Sequence, residues 1–375
     1  MGRLLWTVPG FLALACSSPA PEIRIGVLVG RTEARWMTSG LSTMQSARLA
    51  EQTVNASGGI IVGGAPRRVR LIFRDIGNQA DRATSQAREL LNRDSVVALV
   101  GPQFSQDAIP VSSLAEQARV PMISPMSTHP KTTFGKPYVF RIAFMDDLQG
   151  KALARFARET LHAKRAALLY DVALDYSRNL AQVFQAEFTA HGGTVVADQQ
   201  FTSDRAADFS AQLTRIRAAH PDVIFAPNYP SADSIQVIQA RRLGLRATFL
   251  GSDSWNLASM RGVPEVDGAY FAAQWHPALA TAEADSFIAR YRRAYGTTPD
   301  GTGAATWDAF QVIFAAIRSV NSADPDSIRR AIAATDGFRG VTGVLTYRNG
   351  GDPRKSVYIM KFVKGLGVFQ QRVDP

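Results

Sequence analysis

Three short polar loops hold the groups in this sequence best suited to grip a small ion. Gly101-Pro102-Gln103-Phe104-Ser105 and Pro125-Met126-Ser127-Thr128-His129-Pro130 each follow an apolar run and offer hydroxyls and backbone N–H groups. Ser252-Asp253-Ser254-Trp255 follows another and offers a carboxylate. Hydroxyls and free N–H groups beside helix starts suit an anion such as a carboxylate, while an aspartate facing them suits a cation. Taken singly, a serine or threonine in such a place is an ordinary helix N-cap. It is the combination that carries weight.

Other chemistries lack their residues. There is no Walker-type phosphate loop, no G-x-G-x-x-G after the first apolar run and no G-x-S-x-G nucleophile elbow. The five histidines, His129, His162, His191, His220 and His276, form no i, i+4 pair for a metal. Asn55-Ala56-Ser57 matches a glycosylation sequon and is taken as a chance match. The chain is therefore expected to be a binder and not an enzyme, with no cofactor and no metal.

The elements that would position these loops alternate between strand and helix. Strands are expected at 23–29, 67–74, 96–100, 120–124 and 138–142, with helices between them at 38–55, 81–93 and 106–118. The rhythm restarts with helices at 150–161, 176–191, 209–219 and 231–243, and strands at 166–170, 194–201, 223–227 and 248–251. A strand at 268–274, helices at 283–295, 304–320 and 324–335, and β segments at 344–347 and 356–363 complete the chain. Apolar strands alternating with amphipathic helices argue for parallel sheets covered on both faces. The two similar runs argue for two related lobes.

Length agrees. Once an N-terminal leader is set aside, about 360 of the 375 residues remain, too many for one core and enough for two. Apolar content of 46% and charged content of 20% are those of a globular chain. The net charge of +10 invites a nucleic-acid reading, but the basic residues are dispersed. The densest run, Arg67-Arg68-Val69-Arg70-Leu71-Ile72-Phe73-Arg74, alternates like a solvated strand edge. No nucleic-acid partner is expected.

Cys16 is the only cysteine, and it closes the apolar run from Leu4 to Ala15. A short apolar stretch ending in a small residue and cysteine resembles the lipobox of a bacterial lipoprotein. It is too short to span a bilayer, which takes about 20 apolar residues. Residues 1–15 are therefore expected to be a signal peptide, Cys16 the lipidated residue, and 16–21 a tether. That places the protein in the cell envelope, lipid-anchored and facing the periplasm or the outside.

The loops also carry a family resemblance. The matching stretches, in chain order, begin with Asn55-Ala56-Ser57-Gly58-Gly59-Ile60, Val100-Gly101-Pro102, Val120-Pro121-Met122-Ile123-Ser124-Pro125 and Tyr138-Val139-Phe140-Arg141. They continue with Gln149-Gly150-Lys151-Ala152, Asp208-Phe209-Ser210-Ala211-Gln212-Leu213, His220-Pro221-Asp222-Val223-Ile224 and Phe338-Arg339-Gly340-Val341-Thr342-Gly343. Over about residues 23–363 the chain resembles type I periplasmic binding proteins of the branched-chain amino-acid (leucine/isoleucine/valine-binding) family.

The resemblance implies an α/β fold of two lobes, each a mainly parallel sheet flanked by helices, joined by three hinge crossovers with the ligand between them. The expected division is 22–143 plus 268–350 for lobe one and 144–267 plus 351–375 for lobe two. Crossovers are expected near 143–147, 265–268 and 349–353. The implied function is that of an ABC-importer substrate-binding protein, monomeric, delivering an amino acid with a branched-chain or other apolar side chain to a permease. A ligand-sensing receptor of the same fold, and a binder of an organic acid or amide, are the alternatives. Carried over by position, Ser105 and Thr128 hold the α-carboxylate with backbone help near Met126, and Asp253 takes the α-ammonium. Tyr176 and Tyr229 line the far lobe and Trp36 covers the side-chain pocket, with Trp275 adding to it. Asp146 falls on a crossover at the rim. Asn228-Tyr229-Pro230 departs from the family's glycine-rich turn, and Met126 is bulkier than its usual small residue.

Overall fold

The computed structural model describes residues 22–31, 37–202, 208–255, 260, 262–277, 281–348 and 350–375. Cys16 and Trp36 lie outside the described residues.

The first half opens with β1 (Ile23–Val29), α1 (Met37–Ala56), the hairpin β2 (Ile60–Val62) and β3 (Ala65–Arg67), β4 (Val69–Asp75) and α2 (Ala80–Asn92). It continues through β5 (Ala98–Val100), α3 (Ser105–Ala118), β6 (Met122–Ser124) and β7 (Val139–Arg141). β4, β1, β5, β6 and β7 form a parallel five-stranded sheet in that order.

The second run is α4 (Asp146–Arg155), extended by a π-helical turn (Phe156–Thr160), then β8 (Arg165–Asp171), α5 (Asp175–Ala190), β9 (Thr194–Phe201) and α6 (Ser210–Ala218). β10 (Val223–Ala226), α7 (Pro230–Arg242), β11 (Thr248–Gly251) and β12 (Tyr270–Ala273) follow. The chain returns to the first lobe as α8 (Ala282–Tyr295), α9 (Gly301–Val320), α10 (Pro325–Ala333) and the hairpin β13 (Phe338–Gly340) and β14 (Gly343–Leu345). It ends in the second with β15 (Val357–Val363) and β16 (Leu366–Val373). The second sheet has seven strands in the order β16-β15-β12-β11-β10-β8-β9, and β15 and β16 are its antiparallel members.

Period-two burial explains why both sheets sit inside layers of helix. On β1, Ile23, Ile25 and Val27 enter one apolar cluster with α9, while Leu28 enters another with α2 and α3. On β8, Ala166, Leu168 and Tyr170 face a cluster with α4 and α5, and Ala167 and Leu169 face one with α6 and α7. Successive strand side chains point to opposite faces, so strands apolar at every position need helices on both sides. Helix starts are set by Thr281, Asp300 and Asp324, whose side chains accept from the N–H groups of Ala284, Gly303 and Ser327.

The chain passes between the sheets three times among the described residues: between β7 and α4, between β12 and α8, and between β14 and β15. The second passage corrects an expectation. Tyr270–Ala273 pairs with β11 and β15, so the chain is still in the second lobe at 268–273 and leaves it after Ala273. Alternation of apolar residues marks a strand but not the sheet it joins, which is why the boundary was placed too early.

Candidate functional site

The first lobe contributes its site residues at the carboxyl ends of β5 and β6. Ser105 is the first residue of α3, and its Oγ lies 2.9 Å from Ser127 Oγ, which is 2.7 Å from Thr132 Oγ1. The Ser105 hydroxyl also accepts from the His129 N–H at 3.4 Å. Ser105, Ser127, Thr128 and His129 are all buried. Burial pushes the His129 imidazole down to about 4, so it is neutral near pH 7. Its Nδ1 accepts from the Lys131 N–H at 3.1 Å. This chain of hydroxyls and N–H groups beside a helix start is a donor-rich surface for an anion.

The second lobe supplies two tyrosines and an acid. Asn228 fixes the loop that carries Tyr229. Its Oδ1 accepts from the Asp171 N–H at 2.9 Å, and its Nδ2 donates to Leu169 O at 2.9 Å and to Gln236 Oε1 at 3.1 Å. Pro230 then opens α7 at the position where a missing N–H costs nothing. Tyr229 stacks on Tyr176, with ring centroids 4.9 Å apart and planes 4° from parallel.

Asp253 sits in the turn after β11, seated on buried Trp255, whose Nε1 donates to Ala226 O at 3.0 Å. Gly251 is required beneath it, because a Cβ there would meet the Trp255 ring at 2.1 Å. The Asp253 carboxylate accepts from Tyr176 Oη at 2.7 Å, Gln149 Nε2 at 3.1 Å and Gln274 Nε2 at 3.0 Å. Desolvation pushes its pKa up, and the three donors counter that by stabilising the anion. The Tyr176 hydroxyl is pushed well above its ordinary value by desolvation first and then by the negative charges of Asp253 and Asp146.

The two halves meet. The Ser105 N–H donates to Tyr229 Oη at 3.2 Å, and Phe104 packs edge-on to the Tyr229 ring at 4.8 Å. At the rim Lys131 Nζ is 3.6 Å from Asp175 Oδ1. Between the lobes lies a narrow cleft lined by residues of both. Ser105, Met126, Thr128, Tyr176, Tyr229 and Asp253 all line it, so six residues that follow five different strands come together. No lysine or arginine lines it among the described residues.

Two expectations are corrected. Trp275 does not line the cleft; it is buried in the first lobe's apolar cluster with Phe287 and Trp307. Asp146 is not at the rim. It is fully buried at the start of α4, its N–H donating to Thr128 O at 3.0 Å and its Oδ2 accepting from Asn179 Nδ2 at 3.0 Å. Burial pushes its pKa up to about 7. Both residues are close in sequence to cleft segments, but the crossover turns the side chains inward.

Sequence reasoning gave no role to Gln149 and Gln274, which hold the acid, or to Ser39, Gln103 and Thr302, which line the first-lobe wall. Gln149 lay inside one of the quoted family stretches. Gln103 lay inside the polar loop before Ser105 but was given no role of its own, and Gln274, Ser39 and Thr302 carry no local signal, since Ser39 and Thr302 meet only where α1 packs on α9.

No helix among the described residues is long and apolar enough to cross a membrane. A family model for the periplasmic binding protein family matches residues 22–366. An amino acid binding protein of Pseudomonas aeruginosa is 28% identical over 375 residues, spanning 96% of this chain and 97% of that one. Among solved structures, the leucine binding protein LivK of Thermotoga maritima is similar with a TM-score of 0.87 and 29% identity, over 94% of this chain and 99% of that one. The branched-chain amino acid transporter substrate binding protein LivJ of Streptococcus pneumoniae, in complex with isoleucine, gives a TM-score of 0.87 and 27% identity, over 95% of this chain and 100% of that one.

Proposed function

The chain belongs to the periplasmic binding protein family, and we propose that it is the substrate-binding component of an ABC importer that closes over an α-amino acid. One observation carries this reading: the Asp253 carboxylate of one lobe and the Ser105–Thr128 donor surface of the other line the same cleft. A zwitterion satisfies both. Its carboxylate takes the hydroxyls and N–H groups beside α3, and its ammonium takes Asp253, whose geometry three donors already hold. The rings of Tyr176 and Tyr229 cover the ligand from the second lobe. The relatives named above for leucine and isoleucine support the amino-acid class. This reading assigns binding and no turnover, and the permease is the partner that receives the ligand.

In this reading Cys16 is lipidated after removal of residues 1–15, tethering a monomer to the envelope. A single acyl chain binds a membrane marginally, and stable anchoring takes more than one, which lipoprotein modification supplies. A Cys16→Ser form is expected to leave the membrane fraction or remain a precursor; continued partition into detergent would place the anchor elsewhere.

The ligand test is calorimetry against α-amino acids and their deaminated acids, beside mass spectrometry of whatever co-purifies. Tightest binding by a molecule with an ammonium group is expected. If the best ligand lacks one, the amino-acid assignment fails and an organic acid or amide takes its place. Tight binding without stimulation of transport by a reconstituted permease would favour a sensing receptor.

A further inference from the structure

The first-lobe wall of the cleft is polar in a way the head-group chemistry does not use. Besides Ser105 and Thr128 it is built from Ser39 of α1, Gln103 of the loop after β5, and Thr302, the second residue of α9. Gln103 is buried, with 6% exposure. Its Nε2 reaches Ser39 O at 3.4 Å, the long limit of a hydrogen bond. Its side-chain carbonyl, and the hydroxyls of Ser39 and Thr302, have no hydrogen-bond partner among the described residues.

The wall is rigidly made. Asp300 accepts from both the Gly303 N–H and the Ser42 hydroxyl at 2.8 Å, which ties the start of α9 to α1. A Cβ on Gly303 would come 2.9 Å from Ser46 Oγ, so the two helices are in close approach there. Ser39 and Thr302 are thus carried on elements that cannot easily draw apart to hide their hydroxyls.

Resting on the amino-acid reading above, we propose that this cleft selects ligands whose side chain is uncharged and hydrogen-bonding, an amide or a hydroxyl, over aliphatic ones of the same shape. Among the described residues the wall offers both donors and acceptors and no charge. An anionic side chain meets no lysine or arginine in the lining among the described residues and shares the cleft with Asp253. A cationic one finds no acid on Ser39, Gln103 or Thr302. An aliphatic one closes against three polar groups and leaves them unpaired, the condition under which binding sites reject analogues that lack a matching group.

Isosteric pairs test this directly. Calorimetry of the parent with asparagine against leucine, and threonine against valine, is expected to show the polar member of at least one pair binding more than tenfold tighter. Gln103→Leu is expected to erase that ratio, and Thr302→Val, which conserves shape, to reduce it, with thermal unfolding confirming that each variant folds. Asp253→Ala is expected to weaken both members of a pair alike, which separates head-group from side-chain recognition. Leucine and valine binding the parent as tightly as their polar isosteres would overturn the proposal and leave the amino-acid reading standing. An unchanged ratio in both wall variants would do the same. Binding of none of the four, with a deaminated acid or amide bound instead, would overturn both.

Discussion

Arg141, wholly buried at the end of β7, donates from Nε to Asp352 Oδ1 at 2.6 Å. The pair links the last residue of the first sheet to the third passage between the lobes. The rest of the guanidinium donates to Ser127 O at 2.8 Å, His129 O at 3.0 Å and Thr133 Oγ1 at 2.6 Å, so one cation holds both the ligand loop and a crossover. Gly351 completes the joint: its O accepts from the Arg141 N–H at 2.9 Å, and a Cβ on it would strike Val139 O at 1.9 Å. Arg141→Lys keeps the charge and loses the planar fork. It is expected to fold with a lowered Tm and bind ligand about tenfold more weakly. Arg141→Ala also removes the donors to Ser127 O, His129 O and Thr133 Oγ1 and is expected to lower stability further than Arg141→Lys does. Thermal unfolding and calorimetry check both.

Asp253→Ala removes the acceptor for the ligand ammonium and orphans donors on Tyr176, Gln149 and Gln274. Breaking a buried charge pair costs roughly 3–5 kcal/mol, which is about two to three and a half decades in Kd. Asp253→Asn keeps the shape, loses the charge and is expected to lose most of the same affinity. Parent-like affinity in Asp253→Ala, read by calorimetry, would remove the acid from the site.

Asp107 makes stability fall as pH rises. Both its carboxylate oxygens are buried without a hydrogen-bond partner in the first turn of α3, and burial pushes its pKa from 3.8 up to about 7. The folded state therefore binds a proton more tightly than the unfolded chain, and stability is lost as pH climbs between those two values. Asp146 adds a change of the same sign. At one unit per 1.36 kcal/mol, Asp107 alone accounts for at most about 4 kcal/mol. Denaturant midpoints are expected to decline from about pH 4 to about pH 7 and then level. Asp107→Asn is expected to flatten the decline and to exceed the parent at pH 8; a parent curve that rises through this window would contradict the assignment.

The rim pair of Lys131 and Asp175 spans the lobes with side chains 63% and 30% exposed. Exposed pairs contribute about 0.2–1 kcal/mol and are screened by salt. Lys131→Gln is expected to raise koff by less than about fivefold at low ionic strength and to match the parent at 1 M salt. Stopped-flow release at both salt concentrations reads this.

Strands buried on both faces were the easiest part of the fold to read. The bounds of β1 and β11 follow from their apolar runs and flanking turns. β16 escaped notice because Leu366, Val368 and Phe369 face solvent, so its apolar residues mark no core. The β2–β3 hairpin ends where the basic run begins, and three residues per strand leave too little pattern to count. In the site, loops at strand ends pointed to Ser105, Thr128 and Asp253, because helix starts and acids advertise themselves by type. The glutamines did not: Gln149 meets Asp253 from 104 residues away, and nothing in a lone glutamine announces a distant partner.

The three passages between the sheets have a mechanical consequence. A single connection would let two bodies twist, slide and tilt; three side by side make a flexure with one easy bend. The lobes are then expected to part as the covers of a book do, and the separation of their outer faces becomes a single length fixed by how far the book is shut. A partner docked across both covers can read occupancy as a distance, with no contact to the cargo itself.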